Sequence, residues 1–420
     1  MSKTFSSIKD SLHRPSFVFV VLMVLSLAVL LAAVTVSDGR AYPLVFFQDD
    51  TPDMDVGMDF FNSYIETSDG VPYSRYHTLY PPLANLFFYV LQASMPDRIA
   101  VRWAQDHDEV VHMRGTELDI RFRQEALLPF VIYSIAAAVA LLYLSERFLK
   151  GSVPRPKAVA LCFLFSFGNL YAIERGNITL IALVLSFVFA MFYDAESRVM
   201  RELAIIALAL AAGLKLYPAI FGLILIKDRR WGQAVRAVIY GVLAFILPFF
   251  VFEGVAAIGV FFRELLQFAG DGKGVFGLGA IVQFVMHILD GAFGIRGLNE
   301  GLILTIVRVV SIVLLLVSFI RSRKRETNWL ILALILVFFQ EAHAYTLGFF
   351  LIPFGFFLRD NEALSAQNLP EFVFYLIVTL PLVTPMVSQT KTVHIVIILI
   401  AMCLISLIEV IRCIFAKRQR

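Results

Sequence analysis

Apolar runs alternate with short polar connections along almost the whole chain. The first run extends from about Phe17 to Val36, and others lie near 126–145, 158–173, 177–193, 202–214, 216–226, 233–252, 301–320, 328–342, 345–358, 371–388 and 393–415. About 20 apolar residues span the roughly 30 Å hydrocarbon core, so the pattern predicts about twelve membrane helices. The first run is roughly twice the length of a signal-peptide core, which predicts an uncleaved first helix.

Two longer polar regions break the alternation, at about 37–125 and 253–300. The first contains YPPLANLFFYVLQASM, an apolar stretch that opens on a proline pair and is followed by a highly charged run. Counting that stretch as a span would invert every later connection. The basic connections ERFLKGSVPRPK, DAESRVMR, KDRR and RSRKRE, together with KRQR and the basic N-terminus, decide the matter. Short cytoplasmic loops hold the excess of Lys and Arg, and a twelve-helix count places all of these on the cytoplasmic side with both termini. IERGN, LKLYP, EAHAY and SQTK then fall outside. YPPLANLFFYVLQASM becomes a juxtamembrane helix inside a long first outer loop, where polar backbone is tolerated if it lines a protein-walled cavity. FFRELLQF, in the second long loop, predicts an amphipathic interfacial helix. The expected fold class is an all-α polytopic membrane protein forming one domain over 1–420.

Composition agrees. Of 420 residues, 59% are hydrophobic and only 16% charged, against roughly 25% charged in soluble domains. A net charge of +3 implies no nucleic-acid partner. Cys162, Cys403 and Cys413 all lie in apolar runs and form no metal or disulfide spacing. No GxGxxG, P-loop or HExxH occurs, which argues against a soluble nucleotide site. No cofactor or metal is expected. The 40 phenylalanines suit both lipid-facing packing and a groove for a lipid chain, and composition does not separate the two.

With that orientation, Asp59, Tyr80, Arg175, Asn177, Lys215 and His343 gather at the outer ends of helices or in outer loops. Ionisable groups near membrane depth cost a few kcal/mol and mark function. The 202–214 run covers only about 20 Å, and Tyr217-Pro218 follows it. Short, Pro-broken helices of this kind leave a polar recess whose free backbone groups can bind anions. Each residue also has a plainer role. Lys215 can snorkel to the headgroups, and Arg175 can pair with Glu174. Asn177 can orient sugar hydroxyls or cap the helix beginning there. His343 can contact substrate or pack between helices, and Glu341 can orient it or act as a second acid. Tyr80, before Pro81-Pro82, can shape the start of a helix. His77 and Arg75 share its loop. Asp49, Asp50, Asp53 and Asp55, in QDDTPDMD, form a solvated run or an oxygen-ligand site for Ca²⁺.

The ordered set DFFNSY, GVPYS, YPPLANLFFYVL, ERGNITLIALVL and GLKLYPAIFGLILI resembles glycosyltransferase family 87, within the GT-C superfamily of polyprenyl-phosphate-sugar-dependent transferases. The likeness covers roughly 55–360. Arg175-Gly176-Asn177 departs from a Gly-Gln-x-Asn pattern in that family. The resemblance implies a GT-C fold and a polyprenyl-phosphate-linked sugar as donor, with mannose or another hexose or pentose transferred. It also implies a glycolipid or glycan acceptor among membrane lipids, and inversion at the anomeric carbon. Asp59, which opens DFFNSY, matches the catalytic base. Lys215, Arg175, Asn177, His343, Tyr80, Tyr217, Glu341, His77 and Arg75 are the expected substrate contacts, with Lys215 the leading partner of the phosphate. A bacterial inner membrane with an extracytoplasmic site is the expected setting. A flippase of lipid-linked sugars is the alternative, but it needs polar groups spaced through the membrane depth, and here they concentrate on one face. A purely structural membrane protein has no need of them together.

Overall fold

The structure, a computed structural model, describes residues 13–36, 57–92, 120–270, 277–295, 297–339, 343–381 and 390–415. All regular structure among them is helical. In chain order the α-helices are α1 (Pro15–Val36), α2 (Met58–Glu66), α3 (Pro82–Gln92), α4 (Gln124–Leu149), α5 (Pro156–Leu164), α6 (Phe167–Arg175), α7 (Thr179–Phe192), α8 (Arg198–Leu214), α9 (Leu223–Lys227), α10 (Trp231–Ile246), α11 (Val255–Gly270), α12 (Leu278–Phe293), α13 (Glu300–Arg321), α14 (Arg325–Phe339), α15 (Leu351–Asp360), α16 (Leu369–Thr379) and α17 (Thr390–Phe415).

Among the described residues, 5 helical segments are long and apolar enough to cross a membrane: Pro15–Val36, Gln124–Leu149, Trp231–Val251, Glu300–Arg321 and His394–Ile414. The bent pair α5 and α6 makes a sixth if it is one span, with a 51° turn at its break. These establish a polytopic membrane protein. The other predicted spans are shorter or interrupted. Residues 216–226 become a 3₁₀ turn over Tyr217–Gly222, then the single α-turn of α9. Proline after the first 3₁₀ residue gives that turn its fixed φ and leaves no N–H to donate. A second such break, at Leu247–Val251 with Pro248, ends α10. Within YPPLANLFFYVLQASM, the described residues 82–92 form α3, which starts at Pro82. FFRELLQF lies in α11 as expected. The apolar α12 was not anticipated, because Gly277 and Gly294 bracket it within a stretch read as loop.

The chain divides into two compact units, and α4 and α6 pass from one to the other. The first comprises 1–48, 145–170 and 272–420. Its centre is α14, buried all round from Trp329 to Phe338, while α13 exposes an apolar face. Phe19 of α1 packs edge-on against Phe163 and Phe354. Arg412 of α17 bridges the buried Glu371 and Glu409. Asn299 caps α13 by accepting from the Leu302 N–H at 3.0 Å, and Glu300 and Arg321 suit its two dipole ends.

The second unit comprises 49–144 and 171–271. Its frame is the α7, α8 and α10 stack, with α3 laid against α8 and α2 against α3. Gly213 of α8 makes the α3 contact possible, since a Cβ there would come within 2.8 Å of Leu83. A second apolar cluster joins Tyr73, Phe249, Ala257 and Phe261, fastening the loop after α2 to the end of α10 and to α11.

Candidate active site

Two tight turns in the second unit place the central residues. Gly57 precedes α2 in the left-handed region, at φ 70°, and its N–H donates to the Glu174 carbonyl at 2.7 Å. Gly176 closes α6 at φ 65°. A Cβ on Gly176 would sit 2.6 Å from the Phe60 Cβ and 2.8 Å from the Phe130 ring, so only glycine fits. This close approach sets the first turn of α2 beside the end of α6. Phe60 then anchors α2 in an aromatic cluster with Phe61, Tyr64, Phe88, Phe130 and Tyr133. The preceding residue, Asp59, is left facing Arg175 and Asn177.

Asp59 Oδ1 accepts from Arg175 Nε at 3.0 Å and Nη2 at 2.7 Å. Its Oδ2 accepts from Asn177 Nδ2 at 2.6 Å. The paired side chains are 17% and 18% exposed, so the ion pair is largely withdrawn from water. A guanidinium at this distance favours the ionised carboxylate. The Arg175 guanidinium therefore reaches Asp59, whereas the sequence had offered Glu174 as its neighbour.

Of the two roles its sequence position allowed, Asn177 takes the one at the helix start, and it also holds Asp59. Its Oδ1 accepts from the Thr179 N–H at 2.9 Å and from Thr179 Oγ1 at 2.6 Å, which caps α7. Its Nδ2 donates to Asp59 and, at 3.2 Å, to the Tyr80 hydroxyl. Thr179 Oγ1 also meets the Tyr217 hydroxyl at 2.7 Å. One hydroxyl hydrogen cannot serve both partners. With Thr179 donating to Asn177, Tyr217 must donate to Thr179. The order Tyr217, Thr179, Asn177, Asp59 is thus a directed chain ending on the carboxylate.

Lys215, the residue that ends α8, lies with its Nζ 4.1 Å from the centre of the Tyr80 ring. Burial pulls its ammonium down from the ordinary lysine value to about 8, and Asp59 pulls in the opposite direction. The site thus joins a fixed carboxylate with a cation that titrates near neutrality.

The loop from Thr67 to Pro81 brings Tyr80 to these groups. The Glu253 carboxylate accepts from the N–H groups of Tyr73 and Ser74 at 2.8 and 2.9 Å. Tyr73 Oη and Asn85 Nδ2 both donate to the Tyr80 carbonyl, at 3.3 and 3.4 Å. Arg75 pairs with Asp69 at 2.8 Å, and His77 Nδ1 meets Glu264 at 3.1 Å. Arg75 and His77 therefore secure the loop and do not join Asp59. His343 belongs to the first unit, where it precedes a 3₁₀ turn and its carbonyl accepts from Thr346. Glu341 and the QDDTPDMD aspartates lie outside the described residues. Among the described residues, no group of three His, Cys, Asp or Glu side chains is arranged to hold a metal.

Sequence reasoning passed over three contributors. Thr179 links Tyr217 to Asn177, and its place two residues after Asn177 is the ordinary spacing of a side-chain cap. Tyr133 donates to the Asn177 carbonyl from α4, a contact across 44 residues that no local pattern announces. Glu66 stands seven residues after Asp59, on the same face of α2 and about 10 Å along it. Burial raises the Glu66 carboxyl from its ordinary value to about 7, opposed by a hydrogen bond from Thr78 and reinforced by Asp59.

The model of glycosyltransferase family 87 matches residues 78–340. The chain belongs to glycosyltransferase family 87. No curated protein and no solved structure matches it significantly. The matched segment of this family 87 chain includes Tyr80, Arg175, Asn177, Thr179, Lys215 and Tyr217. Asp59 lies before it and is tied to it by the Arg175 and Asn177 contacts. The family makes the protein a membrane glycosyltransferase.

Proposed function

We propose that the protein transfers a sugar from a polyprenyl-phosphate-linked donor to a hydroxyl of a glycolipid or glycan acceptor. The reaction occurs on the extracytoplasmic face of a membrane, in the bacterial setting that of the inner membrane. The proposed chain has a GT-C fold with about twelve spans and cytoplasmic termini, counting the short and broken helices as spans. Mannose, or another hexose or pentose, is the proposed sugar.

The observation that carries this reading is the Asp59 carboxylate, gripped by Arg175 and Asn177, with the Lys215 ammonium electrostatically coupled to it. Glycosyl transfer from a lipid phosphate needs these two charges. Asp59 takes the proton from the acceptor hydroxyl as that oxygen bonds to the anomeric carbon. The bond from the anomeric carbon to the phosphate oxygen breaks with its electron pair, and the lipid phosphate leaves. Attack from the side opposite the phosphate inverts the anomeric centre. Lys215 stabilises the charge growing on the phosphate. Arg175 and Asn177 hold the base in place and ionised, and the Tyr217–Thr179 chain fixes Asn177. Tyr80 presents its ring to Lys215 and its hydroxyl to Asn177, which sets the distance between base and cation.

Donor class is the test. Purified protein is given radiolabelled mannose as polyprenyl-phosphate mannose or as nucleotide-linked mannose, with a panel of glycolipid acceptors. Transfer from the lipid-linked donor alone is the expected result. Transfer from the nucleotide sugar, or movement of the lipid-linked sugar across a vesicle membrane without transfer, would overturn the proposal.

A further inference from the structure

Glu66 stands where a helix least favours an acid. It is the last residue of α2, at the negative end of the helix dipole. Among the described residues, the groups acting on its carboxyl are the Thr78 hydroxyl and the like charge of Asp59, with no cation to offset burial. A costly ionisable group beside a catalytic site is a functional candidate.

Its hydrogen-bond partner shows what it does. Thr78 is buried and has one hydroxyl hydrogen, which goes to Glu66. The Thr78 oxygen is left to accept, and it takes the Tyr80 N–H at 3.3 Å. Pro81 and Pro82 follow and carry no N–H, so Tyr80 supplies the last backbone donor before α3 begins. The Tyr80 carbonyl is held by side chains, Tyr73 Oη at 3.3 Å and Asn85 Nδ2 at 3.4 Å. Side chains therefore pin this residue on both sides, and Thr78 supplies the N–H side. The Tyr80 ring in turn covers the Lys215 ammonium at 4.1 Å, and its hydroxyl meets Asn177. Glu66, Thr78, Tyr80 and Lys215 thus form a second chain into the site. It joins the Tyr217–Thr179–Asn177 chain where Tyr80 meets Asn177.

We infer that Glu66 is a positioning residue for the transfer reaction, which fixes the Tyr80 ring over Lys215 by way of the Thr78 hydroxyl. The inference rests on the transferase reading for the part that Lys215 plays. The hydrogen bond carries the effect, so the carboxamide oxygen of a glutamine serves as well as the carboxylate. Without an acceptor at position 66 the Thr78 hydroxyl turns away, Tyr80 loses its N–H partner, and water reaches the ammonium. Desolvation is the main cause of the low Lys215 pKa of about 8, so hydration moves it up. Loss of the Glu66 charge acts the other way, because a negative group favours an ammonium. Positioning and charge therefore differ in sign. The Asp59–Arg175, Arg75–Asp69 and His77–Glu264 pairs are retained in every variant below.

The test reads the Lys215 titration without turnover. Full-length protein in phospholipid nanodiscs is pulsed with trace acetic anhydride across a pH series. The reagent acetylates only the unprotonated amine, and modification of Lys215 is followed by mass spectrometry. The wild-type midpoint is expected near 8. Glu66→Ala and Thr78→Val should each raise it by about one unit, a tenfold change in the proton equilibrium. The double variant should go no further, as members of one chain do not add. Glu66→Gln should stay at the wild-type midpoint or below it. Asn62→Ala, exposed on α2, should leave it unchanged. In the transfer assay the upper limb of kcat/KM should follow the midpoint. Equal midpoints in Glu66→Ala and Glu66→Gln would overturn the inference, and so would a wild-type midpoint in Thr78→Val. Each comparison decides alone if the other variant does not fold. Midpoints that separate as stated, in a protein that does not turn over polyprenyl-phosphate mannose, would count against the transferase reading and not against the Thr78 link.

Discussion

Asn177→Asp replaces a donor to Asp59 with a second carboxylate while keeping the shape of the side chain. On its other oxygen the substituted residue can still accept from the Thr179 N–H and hydroxyl, as Asn177 Oδ1 does. The change therefore acts almost wholly at the 2.6 Å contact with Asp59. Two unit charges at that separation repel by about 6 kcal/mol at an effective dielectric of about 20. Delocalisation of each charge, residual solvent and the Arg175 guanidinium reduce the net penalty to about 3 kcal/mol, or roughly a hundredfold. The pair escapes that cost by sharing one proton, and a base that shares a proton is disabled. The ratio of variant to wild-type transfer should fall to about a hundredth toward pH 4 and climb about tenfold per unit toward one as pH rises to 7. Using the ratio removes the titration of Lys215, common to both proteins. Asn177→Leu, which loses the donor without adding charge, should give a low ratio that does not vary with pH. A pH-independent ratio for Asn177→Asp would refute the reasoning, because the carboxylate beside Asp59 would then have no bearing on the proton that moves.

Three other outcomes follow from the same contacts. Lys215 is active as an ammonium with a pKa of about 8, so kcat/KM should fall as pH rises through 8, and Lys215→Met should be slow and lack that limb. Glu66 has a carboxyl raised from 4.5 to about 7, so the stability it contributes is complete below pH 4.5 and lost as pH rises through 7. Glu66→Gln should raise the melting temperature at pH 8, by an amount corresponding to up to ~3 kcal/mol, and leave it unchanged at pH 4. Gly176→Ala meets both a left-handed backbone and the 2.6 Å contact with Phe60, and thermal unfolding should show a loss of at least ~2 kcal/mol together with most of the transfer activity.

Much of the site was legible because membrane sequences punish stray polarity. Arg175, Asn177, Lys215 and Tyr217 interrupt or terminate apolar runs, and a costly position draws attention to itself, while Asp59 stood out by opening DFFNSY. Pro82 announced the start of α3 for the same kind of local reason. What the sequence did not disclose depends on distance. Nothing near Arg175 says that its partner is 116 positions earlier; adjacency to Glu174 suggested otherwise. Gly57 and Gly176 make that pairing possible through two left-handed turns, and an isolated glycine does not reveal which backbone it will approach. Helix lengths were partly hidden too. Hydropathy gave one run over 216–226, whereas Pro218 forces a 3₁₀ turn that hydropathy does not register.

The central claim is that Asp59 is the base. The direct measurement is release and transfer of radiolabelled mannose from polyprenyl-phosphate mannose by wild type and Asp59→Asn, with and without acceptor, in proteins matched for thermal unfolding. The account predicts turnover in wild type and a loss of about a thousandfold or more in Asp59→Asn, within the range expected for removal of a positioned base. Equal transfer by the two proteins would contradict it and move the search for the base to another carboxylate.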